Sequence, residues 1–194
     1  MRIASFFRAM RDLAKCTKGM AATEFALLLP VLATLFFGML ETSDVATVNR
    51  RVAIAVNTMS DLAAQSEELT YNDVTSLIDG ALAILDPAAG ATLNVSVVSV
   101  VTDPGTGAPI VHWSRDELGG QPYTAGDAYT KLTNTDVLST FGSLIVVEIT
   151  YPYTPQFTSH FVNSPVVFTK TSIRWPRLVS RVQLCDVTGG NCTT

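Results

Sequence analysis

At 194 residues, with 47% hydrophobic and 15% charged side chains, the chain has material for one compact domain plus an anchor and is too apolar for a disordered tail. The net charge of −4 is uneven: residues 1–19 set Arg2, Arg8, Arg11, Lys15 and Lys18 against Asp12 for +4, leaving −8 on residues 20–194. The acidic bulk argues against nucleic-acid binding, and a basic head ahead of an apolar run is the bias that holds an N-terminus in the cytoplasm while the rest is exported.

Residues 1–19 have helix-capable spacing, with Phe6, Phe7, Met10, Leu13 and Ala14 on one face, and read as an amphipathic basic leader at a membrane surface. Residues 20–40 are apolar and, at ~1.5 Å per residue, long enough to span a ~30 Å hydrocarbon core. Two residues disturb the run. Pro30 lacks the N–H that would bond to the Ala26 carbonyl and is expected to kink or loosen the helix. Glu24 sits near the cytoplasmic end, where a carboxylate is costly unless it snorkels to water or meets a cation. An ordinary cleaved signal peptide fits less well, because its basic region would be some two dozen residues long and Ser43–Ala46 offers only a weak small-residue site.

From Glu41 the pattern stays helical, with Val45, Val48, Val52, Val56, Met59 and Leu62 on one stripe. One continuous helix is therefore expected from Met20 to about Glu67, half in membrane and half against a globular domain. Thr70 or Asn72 caps a second helix that Asp86-Pro87 closes. The period then changes to that of strands: residues 91–102, a turn at Asp103–Gly107, and a hairpin partner at Pro109–Arg115. Residues 118–131 read as a surface loop and 135–141 as a short helix. Ser143–Thr150 and Val166–Trp175 are two further strands, and Leu178–Val187 is a candidate fourth. In the 166–175 strand, Lys170, Ser172 and Arg174 share a face that reads as solvated, opposite Thr171, Ile173 and Trp175. The expected class is α+β: a long N-terminal helix packed on a small antiparallel sheet. The segments are 1–19, a leader; 20–40, a transmembrane segment; 41–69, an amphipathic extension; and 70–194, an extracytoplasmic domain.

Cys16 lies in the basic head, on the reducing side. Cys185 and Cys192, on the oxidising side, flank a Gly-Gly turn and are assigned as a disulfide contributing about 2–3 kcal/mol. A zinc site is disfavoured, with two widely spaced thiols and no histidine nearby. His112 and His160 are isolated, read as surface or edge residues, and no hydrolase, zincin or phosphate-loop motif occurs. Asp116, Glu117 and Asp127 do not have calcium-loop spacing. The reading is of a non-enzyme that requires no cofactor and no metal.

Gly19 followed by Met20-Ala21-Ala22-Thr23-Glu24-Phe25 and an apolar helix resembles type IV prepilins, in which glutamate is the fifth residue after the cleaved glycine. Ala22–Val31, with Glu24-Phe25-Ala26-Leu27 and Leu29-Pro30, resembles the TadE-like minor pseudopilins of the tight-adherence (Flp/Tad) pilus system. Val147–Pro155 and Thr171–Arg177 are similar to later strands of that family. Met20 is a less usual first mature residue, and the cysteine tail is not a family feature. The resemblance implies a pilin-like fold and cleavage by a prepilin peptidase between Gly19 and Met20. Glu24, beside Phe25, would then pair with the freed amine, and Pro30 would give the helix a weak point. Implied partners are other pilins or pseudopilins and the inner-membrane assembly platform. The implied location is the bacterial inner membrane in a single pass, with the N-terminus cytoplasmic and the domain periplasmic, or the surface pilus. Two other readings fit the same residues: a membrane-tethered periplasmic binding or adhesion domain, and a minor pseudopilin of a type II secretion system.

Overall fold

The computed structural model describes residues 19–85, 93–132, 134–157, 159 and 164–193. The chain separates into two compact units at the Ser43–Asp44 link. Expectations resting on the leader, on Cys16, on Asp86-Pro87 and on His160 lie outside the described residues.

Helix α1 runs Met20–Ala64 with Pro30 inside it. Within the first unit its side chains are almost all exposed, Leu27 at 77% and Phe25 at 59% among them. This is the one helix among the described residues long and apolar enough to cross a membrane. Hydroxyls along it fold back on the backbone: Thr34 donates to the Pro30 carbonyl at 2.8 Å and Thr42 to Gly38 at 2.7 Å. Such back-bonding lets a polar side chain sit in apolar surroundings without an orphaned donor.

The second unit is a four-stranded antiparallel sheet in the order β3-β2-β4-β5, built from β2 Asn94–Thr102, β3 Pro109–Asp116, β4 Ser143–Tyr153 and β5 Val166–Arg174. The C-terminal part of α1 and helix α2, Tyr71–Leu85, cover one face. There Val52, Val56 and Met59 meet Val74, Ile78, Val97, Val147 and Ile149 in one core. The other face, carrying Val98, Val100, Leu144 and Val146, is covered by Tyr129 of the 117–135 connection and by Leu138 of α3, Asp136–Phe141. Strand β4 is thus buried on both sides, which is why Ser143–Ile149 reads as a nearly unbroken apolar run rather than an alternation. The architecture is α+β, a long apolar helix on a small antiparallel sheet.

Capping chemistry sets the element ends. Thr70 and Asp73 form a reciprocal box: the Asp73 carboxylate accepts from the Thr70 N–H at 2.8 Å, and the Thr70 hydroxyl accepts from the Asp73 N–H at 3.2 Å. Helix α3 ends on Gly142, whose φ of +75° a residue with a Cβ would rarely adopt. β3 carries a bulge at His112, since Ser99 faces Trp113 while Val100 faces Val111. The extra residue lets Val111 and Trp113 be buried on opposite faces of the sheet, which strict alternation forbids.

Several expectations change. Helix α1 stops at Ala64, and Glu68–Thr70 forms a short strand, β1, that pairs in parallel with β6, Gln183–Cys185. The candidate fourth strand at 178–187 shrinks to those three residues and joins this separate ladder, because Val182 and Leu184 turn into the helix-side core. Leu62 is 47% exposed, and Ala55, Ser60, Ala63 and Ala64 are buried with the stripe instead, since only small side chains fit where α1 approaches its neighbours. The Lys170–Ser172–Arg174 face is not a solvated face. Ser172 is buried, bonded to Ser60 Oγ at 2.8 Å and to Asn57 Oδ1 at 3.0 Å, and Arg174 reaches the same Asn57 oxygen at 3.1 Å. Small hydroxyls there let α1 lie close to the sheet, and polar partners on the helix satisfy them.

Candidate functional site

The N-terminal segment and the second unit each contribute candidates. Gly19 is in a 3-10 turn that runs directly into α1 at Met20, and both residues are exposed. A Cβ built on Gly19 would meet nothing within 4 Å, so no close contact among the described residues requires glycine there. The Thr23 hydroxyl donates to the Met20 carbonyl at 2.8 Å, inside the first turn. Met20 and Glu24 are one helical turn apart and share a face, with Phe25 beside them. The structure therefore brings Met20 and Glu24 within reach of one another, while Pro30 lies between one and two turns further along the same helix.

Far along the chain, Cys185 and Cys192 are joined in a disulfide. The loop between them is organised by Asp186, whose carboxylate accepts from the Thr188 and Gly190 N–H groups at 3.0 Å each and from the Asn191 amide at 2.8 Å. The Thr188 hydroxyl, the Gly190 N–H and the Asn191 amide hold this carboxyl far below the ordinary range. The tail returns to α1: the Arg177 N–H donates to the Ala64 carbonyl at 2.9 Å and its guanidinium pairs with Asp61. The acids at 116 and 117 serve the backbone. Asp116 accepts from the Leu118 N–H at 3.0 Å and Glu117 from the Val95 N–H at 2.8 Å.

The sequence reading passed over Glu148. It lies in β4, is 9% exposed, and faces the sheet side opposite the helices. Three donors from the 117–135 connection converge on it: Tyr129 Oη at 2.5 Å on one carboxylate oxygen, and Tyr123 Oη at 2.8 Å and Lys131 Nζ at 2.7 Å on the other. Desolvation alone would raise the carboxyl pKa; the bonds from Lys131, Tyr129 and Tyr123 outweigh it and hold Glu148 below its ordinary value. Burial, followed by the bond to Glu148, pushes the Tyr129 phenol well up, so it stays a donor. The two tyrosine rings meet edge-on at 5.6 Å. The segment expected to be a surface loop is mostly exposed and is latched to the sheet through these three residues. The available signal was a lone acid inside an apolar β-branched run, a residue type that does not stay buried unpaired.

Comparison with known families matches residues 19–59 to the family model described as TadE-like protein, the family whose resemblance rests on Ala22–Val31. No curated protein and no solved structure matches the chain.

Proposed function

We propose, from the premise that residues 19–59 are TadE-like, that this chain is a minor pseudopilin of a tight-adherence pilus, active in filament initiation or assembly once a prepilin peptidase has cut between Gly19 and Met20. The observation that supports this reading is the family match itself, which begins at Gly19 and runs along the exposed apolar helix that starts at Met20. A peptidase that needs a small residue at the cut would find one at Gly19.

Cleavage removes the +4 leader that pins the head to the inner leaflet and frees an amine on Met20. That cation has Glu24 one turn away, on its own helix or on a neighbour's. An unpaired carboxylate within a membrane helix costs on the order of 3 kcal/mol, so pairing is strongly favoured. The exposed apolar surface from Phe25 to Leu40 suits lipid before assembly and the helices of other pilins after it. In this reading the protein makes a single pass of the inner membrane with its second unit in the periplasm. Its partners are the peptidase, other pseudopilins and the assembly platform.

Mass spectrometry of the membrane-extracted protein tests the cleavage. Cells with prepilin peptidase should yield Met20 as the N-terminus and cells without it the intact leader. An intact Met1 in both strains overturns the proposal.

A further inference from the structure

An open sheet has two edge strands, and here the two edges end differently. Along β3 the outer side is closed by the 117–135 connection: the Val111 N–H donates to the Asp127 carbonyl at 2.9 Å, the Gly126 N–H to Val111 at 2.8 Å and the Tyr129 N–H to Pro109 at 2.9 Å. Along β5, among the described residues, only β4 makes backbone bonds to Val166–Arg174. Every second residue of β5 therefore presents its N–H and carbonyl on the outer side. Pro165 and Pro176 bracket the strand. The edge is also the basic part of an acidic unit. Residues 149–185 hold Lys170, Arg174, Arg177 and Arg181 and no aspartate or glutamate, while the remainder of residues 20–194 carries −12. Of these cations, Arg177 is paired with Asp61. The two faces of the strand differ in chemistry. Lys170 and Arg174 share the helix side with Phe168 and Ser172, whereas Val167, Thr169 and Thr171 are exposed on the opposite side. Ile173, on that opposite side, lines a hollow of about 260 Å³ together with Trp175, Leu132 and Val137.

We propose that β5 pairs with an extended acidic segment of another protein, which adds a further strand to the sheet. Main-chain bonds along the open edge supply affinity, and the alternation of side chains supplies specificity. Carboxylates at every second position of the partner lie beside Lys170 and Arg174. Its intervening β-branched residues lie beside Val167 and Ile173. A second copy of β5 fits poorly, because antiparallel pairing of the strand with itself gathers two lysines and two arginines on one face of the ribbon. The edge lies outside residues 19–59, so this binding and the processing of the N-terminus are read independently.

The test is amide NMR on the full chain in a neutral detergent, titrated with the end-capped peptide Thr-Glu-Val-Glu-Val-Glu-Thr. The β5 signals should shift saturably by about 5 mM, and every second β5 amide should exchange with solvent more slowly. Affinity should fall as salt rises. The same peptide with lysine in place of glutamate should bind at least about tenfold more weakly. The acidic peptide N-methylated along its backbone keeps the charge but cannot form the ladder, so it should leave the β5 signals in place. Lys170→Gln should weaken binding of the acidic peptide by about two- to fivefold, and Lys170→Glu by about tenfold or more, at an unchanged melting temperature. Absence of saturable shifts in β5, equal binding of the lysine or the N-methylated peptide, or an unchanged dissociation constant in Lys170→Glu overturns the proposal. So do β5 signals that move with protein concentration alone, which mark the edge as a contact between copies of this chain.

Discussion

Replacing Glu148 by glutamine isolates the latch that holds the 117–135 connection on the sheet. The glutamine carbonyl can still accept from Tyr129, and its amide can donate to Tyr123 if that hydroxyl turns round to accept. What cannot be restored is the ion pair to Lys131 and the charge on the other two bonds. Bonds to a charged partner are worth about 1.5–3 kcal/mol and neutral ones about 0.5–1.5. The lysine side chain is 55% exposed against 11% for the glutamate, so the ion-pair part is discounted towards surface values. A loss of about 2 kcal/mol follows at neutral pH, or roughly 4–8 °C in melting temperature for a domain of this size. Urea unfolding of the full chain in neutral detergent measures it, followed by the fluorescence of Trp113, which is buried, and Trp175, which is half exposed. The pH dependence adds a second constraint. The folded carboxyl lies below its ordinary value, so its stabilisation is complete above the unfolded value of about 4.3 and is lost as pH falls through the folded value. The gap between the two proteins should therefore narrow below about pH 4. A variant within 0.5 kcal/mol of the parent at pH 7, or a gap that does not narrow in acid, refutes the reasoning.

Glu24→Ala should leave the Met20 terminus intact by mass spectrometry while sharply reducing surface pili counted by electron microscopy; full piliation would remove the amine–carboxylate pair from the proposal. Replacing both Cys185 and Cys192 by serine should lower stability by about 2.5 kcal/mol on the loop-entropy model, measured by urea unfolding, and reductant should then have no further effect. Asn57→Ala removes the shared acceptor of Ser172 and Arg174 and should cost about 1–2 kcal/mol in the same assay, whereas Leu62→Ala, on the exposed side of α1, should cost under 1 kcal/mol. Thr70→Ala opens the box at the start of α2 and should cost about 1 kcal/mol.

Elements marked by a strong period or by an unbroken apolar run were legible in the sequence. The apolar run after Gly19, the α2 stripe and the β-branched runs of β2 and β4 are specified locally, by residues whose neighbours in sequence share their fate. The face of β5 was not, because alternation names two faces without saying which one meets the helix. Charge pointed outward at Lys170 and Arg174, yet the deciding fact was that Ser172 is small enough for α1 to approach and finds Ser60 and Asn57 there. The tail failed for a related reason. Leu178–Val187 has strand composition, but its partner β1 is a three-residue piece that no period reveals. The Glu148 cluster joins residues 123, 129, 131 and 148 through a glycine-rich stretch, and such convergence is invisible until the connection is folded back. At the N-terminus the position was the reverse: Gly19, Glu24, Phe25 and Pro30 are legible as a pattern, and packing among the described residues adds no demand for them.

The parallel pairing of β1 with β6 also imposes an order of events on synthesis. Gln183 leaves the ribosome more than a hundred residues after its partner Glu68. The interior of the sheet likewise waits for Val166–Arg174. Until β4 has followed β2, the apolar sides of α1 and α2 lack the sheet they pack on. The ladder, the Arg177–Ala64 bond and the disulfide then form together at the end. Nascent molecules must accordingly be shielded until the sheet is complete, and a truncation just before Gln183 should leave an open, sticky intermediate rather than a slightly shorter domain.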